Sequence, residues 1–179
     1  MEEIRTLSSR VVYANAWMSV REDEIERSDG GRGVYGVVDK PDFVVVVPYG
    51  DGGLHLVEQY RYPVRQRLWE LPQGVWGGPD ADPLEAAAHE LAEETGLRAG
   101  RLTVLGRLHE AYGMSSQAFH VVLAEDLTPG EQALEPEEVG LVSSFFALPD
   151  VWSLVDAGRL TDAPTLAALA LAERHLAAR

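Results

Sequence analysis

Three glutamates lie close together in the run His89-Glu90-Leu91-Ala92-Glu93-Glu94 of this 179-residue chain. Glu90 and Glu94 are four residues apart and Glu93 is three from Glu90, so on a helix their carboxylates lie along one flank. Like charges at this spacing repel one another unless a cation lies between them. Oxygen ligands of this kind suit Mg²⁺ or Mn²⁺. The run therefore indicates either a divalent-metal site or an acidic helix face in contact with solvent.

The segment around these glutamates carries the signals of a capped helix. Asp82 is a good N-cap, and Pro83 suits the first helical position, where its missing N–H costs nothing. Gly96 suits the left-handed residue that ends many helices. Apolar residues recur between these limits at intervals of three and four, which predicts one buried stripe. Its members are Leu84, Ala87, Ala88 and Leu91.

A glycine-rich loop precedes this helix. Gly74, Gly77 and Gly78 would let the backbone approach phosphate groups closely, where a side chain would obstruct. Turns use glycine as often, so the loop alone is weak support for a site. Beside the acidic helix it favours a site for a divalent metal and a diphosphate.

The loop and helix together resemble the Nudix hydrolase box, G-x5-E-x7-R-E-U-x-E-E-x-G-U, in which U is aliphatic. The chain supplies Gly74 and then His89 to Leu97. Three departures stand out: Asp80 replaces the first glutamate, one extra residue lies between Gly74 and the helix, and His89 replaces the arginine. That arginine orients a box glutamate in the family. A protonated His89 beside Glu93 could do the same, or His89 could be a helix-surface residue.

The resemblance implies a ligand set for Mg²⁺, with Mn²⁺ as an alternative. Glu90 and Glu94 are expected to ligate the metal, and Glu93 to ligate or tune it in catalysis. The main-chain carbonyl of Gln73 would complete the shell.

A second stretch resembles the ADP-ribose pyrophosphatase branch of the family, from Glu58-Gln59-Tyr60-Arg61-Tyr62-Pro63 to Trp69-Glu70-Leu71-Pro72. Arg61 occupies the place of an arginine that contacts substrate phosphates, and a planar guanidinium can bind phosphate through two hydrogen bonds. An exposed charge at a strand end is the alternative. Trp17 lies in the region that this branch uses for base stacking and dimer exchange, although burial also fits an aromatic residue. Tyr112 replaces a proline typical of the branch, which leaves nucleotide or sugar specificity open.

An acidic run occupies residues 135–138. The branch commonly places its general base in this loop, so Glu137 and Glu138 are the candidates. Taken alone, such a run is most often a solvated loop.

The remaining elements follow from the hydrophobic pattern. Residues 43–47 are apolar throughout, which predicts a central strand buried on both faces. Gly50 to Gly53 predicts a turn into a hairpin strand. Asp162 is the expected cap of a last helix with Leu166, Leu169 and Ala170 on its apolar side. Further strands are predicted at residues 10–20, 34–38, 54–60, 102–105, 118–123 and 141–148, and a short helix at 151–156.

Composition excludes several classes of protein. The chain has no cysteine, and therefore no disulfide or thiolate chemistry. A formal net charge of −14 disfavours nucleic acid. No apolar run approaches the roughly 20 residues of a membrane span, so we expect a cytoplasmic protein without membrane or nucleic-acid partners.

Together the residues and the resemblance predict an α/β fold of the α+β kind, the Nudix α/β/α sandwich of a mixed β-sheet with flanking helices. We expect one domain over residues 1–179, a homodimer, and strands before about residue 40 that take part in dimerisation. The expected activity is metal-dependent hydrolysis of a nucleoside diphosphate derivative, with ADP-ribose giving AMP and ribose 5-phosphate. The alternatives are another nucleotide sugar or dinucleotide as substrate, or a catalytically weak sensor of a nucleotide metabolite.

Overall fold

A computed structural model of the chain describes residues 3–75, 81–134 and 136–179, apart from the side chain of Glu137. The chain divides by its contacts into two compact units. The first comprises residues 1–42 and 109–118, and the second comprises residues 43–108 and 119–179.

The first unit is built on an antiparallel three-stranded sheet. Its strands, β1 (Ile4–Ala14), β2 (Ser19–Arg27) and β3 (Arg32–Asp39), follow one another in chain order across the sheet. A turn joins β2 to β3, and Gly30 takes a positive φ of 82° there. The loop of residues 109–118 is attached to β3, because the N–H of Val38 donates to the carbonyl of Met114 at 2.8 Å.

The second unit is built on a seven-stranded mixed sheet. Its order is β10-β5-β4-β9-β8, with β6 paired to β5 and β7 to β4. The β4–β9 pair is parallel and the β4–β5 pair antiparallel. The strands are β4 (Phe43–Gly50), β5 (Gly53–Arg61), β6 (Gln66–Glu70), β7 (Gln73–Gly74), β8 (Leu97–His109), β9 (Ala118–Pro129) and β10 (Val142–Ala147); the helices are α1 (Pro83–Thr95), α2 (Leu148–Asp156) and α3 (Ala163–Leu176).

Helices cover both faces of this sheet, and β4 shows why. Successive side chains of a strand point to opposite faces. Val45 and Val47 belong to a core cluster with residues of α2 and α3, whereas Val44 and Val46 belong to another with residues of α1. The predicted central strand and the α/β/α sandwich are therefore confirmed.

Local signals set the ends of α1 as predicted. The Asp82 carboxylate accepts a hydrogen bond from the N–H of Leu84 at 2.9 Å, and Gly96 has a φ of 69°. The predicted apolar stripe was wrong at Ala88, which is exposed, while Ala86 is buried. Successive helix residues are about 100° apart, and the buried arc of α1 is centred toward the glutamate flank, which turns Ala88 outward.

The predicted apolar side of α3 was also wrong at one residue. Asp162 caps this helix as predicted, and its carboxylate accepts from the N–H of Thr165 at 2.8 Å. Ala170 is exposed, whereas Ala168 and Ala172 are buried with Leu169 against the sheet. The helix rotation is set by the sheet it packs on, and this is not encoded by the helix alone.

Gly53→Ala is expected to lower the free energy of unfolding by about 1–3 kcal/mol, because it overpacks a rigid contact. A Cβ at Gly53 would lie 2.2 Å from the main-chain carbonyl oxygen of Phe146. Urea denaturation would measure the change. Gly50→Ala is the matched control, because its Cβ would meet only a side-chain atom of Leu127 at 3.8 Å. Equal urea midpoints for the two variants would contradict the prediction.

No helix in the three described ranges combines the length and the apolar character that crossing a membrane requires.

Candidate active site

The three glutamates of α1 are buried, although they are charged residues on a helix. Glu90 is 6% exposed, Glu93 7% and Glu94 1%. Glutamate is almost never buried to this degree unless it is paired. A face in contact with solvent therefore does not describe this side of α1.

Glu94 lies against the short strand β7. Its Oε2 accepts a hydrogen bond from the main-chain N–H of Gln73 at 3.1 Å. Burial raises the pKa of Glu94 well above its ordinary value, and the neighbouring charges of Glu90, Glu138 and Glu70 raise it further. Carboxylates from one helix, one loop and one strand thus converge on a low-dielectric region. A proton or a cation must offset their repulsion.

Glu90 lies over Gly74. A Cβ at Gly74 would be only 2.5 Å from Oε2 of Glu90 and 2.7 Å from its Cδ. Because Gly74 has no side chain, the Glu90 carboxylate can occupy this position. The structure thereby brings Glu90, Glu94, Gln73 and Gly74 together, while the predicted roles of the Gln73 carbonyl and of Gly74 toward a ligand stay predictions.

Gly74→Ala is expected to displace the Glu90 carboxylate without unfolding the protein, because the obstructed group is the end of a flexible side chain. The predicted ligand role of Glu90 then implies a rise of about 10- to 100-fold in the divalent-metal concentration that gives half-maximal activity. Gly36→Ala is the control, since nothing lies within 4 Å of a Cβ there. An unchanged Mg²⁺ requirement in Gly74→Ala would show that Glu90 is not held by this contact.

Glu93 contacts His89 one helical turn earlier. The distance between Nδ1 of His89 and Oε2 of Glu93 is 3.0 Å. The contact matches the orienting role that the sequence suggested for a histidine in the place of the family's arginine. It becomes an ion pair when His89 is protonated.

Arg61 is held by the buried carboxylate of Glu70. Nε and Nη2 of Arg61 donate to Oε2 and Oε1 of Glu70 at 3.1 and 2.5 Å, and Nε2 of Gln59 donates to Oε1 at 2.9 Å. Burial raises the pKa of Glu70, and Arg61 partly offsets this effect. The Arg61 side chain remains 40% exposed. Phosphate binding by Arg61 stays a prediction.

The sequence alone did not indicate that Glu70 belongs to the site. A charged residue between Trp69 and Leu71, in an otherwise apolar stretch, was the available signal. Its partner Arg61 is nine residues away on the neighbouring strand, and only strand pairing brings the two together.

The late acidic loop contributes Glu138, at the end of the one-turn helix Pro136–Glu138. Glu138 is partly buried, and its charge is one cause of the raised pKa of Glu94. The side chain of Glu137 lies outside what the structure describes, as do Gly77, Gly78 and Asp80.

Trp17 belongs to the first unit and is 69% exposed, so burial does not explain it. It lines an open cavity of about 410 Å³ in that unit, beside Asn15, Asp39 and Lys40. Tyr112 is also exposed.

The oxygen donors around Glu94 decide whether a divalent cation fits there. No three acidic or histidine side chains among the described residues already have the spacing of a metal site. The donors are nevertheless the oxygens that such cations prefer, and negative charge accumulates around Glu94. Oε1 of Gln73 is a buried acceptor that has no hydrogen-bond partner within the described part of the chain. The set therefore fits a divalent cation.

An α/β/α sandwich with buried glutamates on one helix, packed against a glycine-containing strand, fits a hydrolase of the metal-assisted class. The NUDIX domain model matches residues 39–169, and the model of the nucleoside diphosphate sugar hydrolase N-terminal domain matches residues 4–38. The chain belongs to the Nudix family and is a Nudix hydrolase, which confirms the resemblance drawn from its sequence. Nudix hydrolases generally use divalent metal ions.

Similar proteins extend over nearly the whole chain. An ADP-ribose pyrophosphatase of Mycobacterium tuberculosis is 30% identical over 167 residues, covering 92% of this chain and 81% of the relative. An ADP-ribose pyrophosphatase of Bacillus subtilis is 28% identical, with 93% and 91% covered. The crystal structure of an ADP compounds hydrolase has a TM-score of 0.89 and 27% sequence identity, and covers 99% of this chain and 96% of that chain.

Proposed function

We propose that the protein hydrolyses the diphosphate bond of ADP-ribose to AMP and ribose 5-phosphate, with Mg²⁺ as its metal. The observation that carries the proposal is the buried convergence of Glu90 and Glu94 on Gln73 and Gly74. Two relatives named ADP-ribose pyrophosphatase support the choice of substrate.

In this proposal, individual residues have separate roles in metal binding and in catalysis. Glu90 and Glu94 would hold the metal with the main-chain carbonyl of Gln73, and Glu93 would ligate or tune it while His89 orients Glu93. When bound, a divalent metal lowers the pKa of water and stabilises charge on phosphate oxygens. Glu138 or Glu137 accepts a proton from the attacking water. The water oxygen bonds to one phosphorus, and the bridging phosphorus–oxygen bond breaks.

In the second unit, substrate binding is assigned to Arg61 and to the Gly74 loop, and in the first unit to Trp17. The guanidinium of Arg61 can pair with phosphate oxygens. Gly74 permits close approach of the backbone. Trp17 offers a ring face on which a nucleobase can stack.

A different nucleoside diphosphate derivative is the second candidate. The similarity to an ADP compounds hydrolase favours it, as does Tyr112 in the place of a typical proline.

Purified protein should be incubated with Mg²⁺ and a panel of ADP-ribose, other nucleotide sugars and dinucleotides, and the monophosphate products measured. The highest kcat/KM for ADP-ribose supports the first proposal. A higher value for another compound replaces the substrate, and tight binding without turnover would indicate a sensor.

We further propose that the protein is a cytoplasmic homodimer that associates through strands before about residue 40. Strand β1 is an edge strand, and all of its residues are exposed. Val11, Val12 and Tyr13 give this strand apolar surface, and exposed edges of this kind favour pairing with another chain. Sedimentation velocity should show a dimer that Val11→Lys weakens. Val104→Lys, on an exposed position of β8, is the control.

A further inference from the structure

The chain between Trp69 and Gln73 is hydrogen-bonded to the α2–α3 connection and to the first turn of α3. The N–H of Trp69 donates to the carbonyl of Arg159 at 2.9 Å, and the N–H of Leu71 donates to Oγ1 of Thr165 at 3.0 Å. Alternate residues of an extended chain present their N–H groups to the same edge. Gln73, two residues further on, reaches the same region through its side chain instead, because its Nε2 donates to Oδ2 of Asp162 at 3.3 Å.

The Thr165 hydroxyl is an unusual partner. Threonine hydroxyls within helices commonly bond back to their own helix, but this one reaches a main-chain group 94 residues away in sequence. Thr165 and Leu71 are both 0% exposed. The buried N–H of Leu71 therefore depends on this hydroxyl, since water does not reach it.

Asp162 carries two contacts at the same helix end. Its Oδ2 accepts from the N–H of Thr165 at 2.8 Å and from Nε2 of Gln73 at 3.3 Å. The main-chain N–H of Gln73 donates in turn to Glu94 at 3.1 Å. Gln73 is thus held between the cap of α3 and the most buried glutamate of α1.

We propose that Asp162 and Thr165 are positioning residues for the metal site. They set the place of Leu71 and Gln73, and through Gln73 the place of the Glu94 carboxylate. The inference rests on the proposed metal-dependent function. It differs from a purely structural role, in which a change at Thr165 would alter stability alone.

The test compares Thr165→Val, which removes the acceptor while keeping the shape, with Thr165→Ser, which keeps the acceptor. Mn²⁺ binding to the full chain without substrate is measured from the electron paramagnetic resonance signal of free Mn²⁺, and urea midpoints are recorded in parallel. We expect Thr165→Val to raise the Mn²⁺ dissociation constant roughly 10-fold, as loss of an outer partner of a metal ligand does. Thr165→Ser should stay within about twofold of the wild type.

Leu169→Val is the control for stability, because Leu169 is buried on the same helix but belongs to the hydrophobic core. It should lower the urea midpoint and leave the Mn²⁺ dissociation constant unchanged. If Thr165→Val does not fold, Asp162→Asn provides the comparison, since asparagine retains the helix cap and weakens the charged contact to Gln73; it should raise the dissociation constant as well.

Wild-type Mn²⁺ affinity in a folded Thr165→Val or Asp162→Asn variant would overturn the proposal. Failure of the proposed function looks different: the wild type would bind Mn²⁺ and hydrolyse no compound of the panel, while the variants would still bind Mn²⁺ more weakly. A wild type that binds no Mn²⁺ would overturn both.

Discussion

Glu94→Gln is expected to lower kcat about 100- to 1,000-fold, because losing the charge of a proposed metal ligand removes several kcal/mol of transition-state stabilisation and each 1.36 kcal/mol is tenfold in rate. The fold should persist. Glu94 is 1% exposed and surrounded by other carboxylates, so a neutral side chain of the same shape removes a buried charge that was costly. Initial rates at saturating substrate and urea denaturation measure the two effects.

The matched control is Glu85→Gln on the same helix. Glu85 is exposed in the first turn of α1, so the identical chemical change there should leave kcat within about twofold, as for surface substitutions away from special features. A Glu94→Gln enzyme with wild-type kcat would remove Glu94 from the proposed ligand set. A variant that is inactive because it is unfolded would instead show a structural role for the charge.

Glu138→Gln is expected to lower kcat roughly 100-fold or more with little change in KM, as loss of a general base does. The charge of Glu138 reaches Glu94, which fits a base beside the metal site. The turn after Glu138 is closed by the N–H of Leu141, which donates to the carbonyl of Glu138 at 2.9 Å, and Arg67 of β6 donates to the carbonyl of Gly140 at 2.6 Å.

Glu137→Gln and Glu131→Gln complete this comparison. Glu131 is exposed and lies in the same connection before β10, so its variant should behave as the wild type. If Glu137→Gln loses the activity and Glu138→Gln keeps it, Glu137 is the base. Full activity in both variants would place the base elsewhere.

In the segment that matches the Nudix box, some features could be predicted from local sequence alone. Asp82, Pro83 and Gly96 set both ends of α1 through contacts within a few residues of each end, so those bounds could be predicted. The spacing of Glu90, Glu93 and Glu94 placed them on one flank for the same reason. Which side of α1 is buried depends on the sheet against which the helix packs. The predicted apolar stripe was therefore wrong at Ala88.

The partners of the charged residues could not be predicted, because they come from distant parts of the chain. Strand pairing brings Arg61 to Glu70, and the packing of α3 brings Thr165 to Leu71 across 94 residues. No periodicity or spacing signals such contacts, since hydrogen bonds between elements depend on how each element is rotated.

By itself, the sequence determined the central strand β4 and the acidic helix, because helix caps and apolar runs act over a few residues. The single strand predicted at residues 10–20 was wrong, since residues 15–18 separate β1 from β2. Only the tertiary structure decided that the glutamates are buried, that Gly74 makes room for Glu90, and that the cap of α3 is bonded to Gln73. Burial and hydrogen bonding between elements depend on their mutual packing, which arises when the whole second unit has folded.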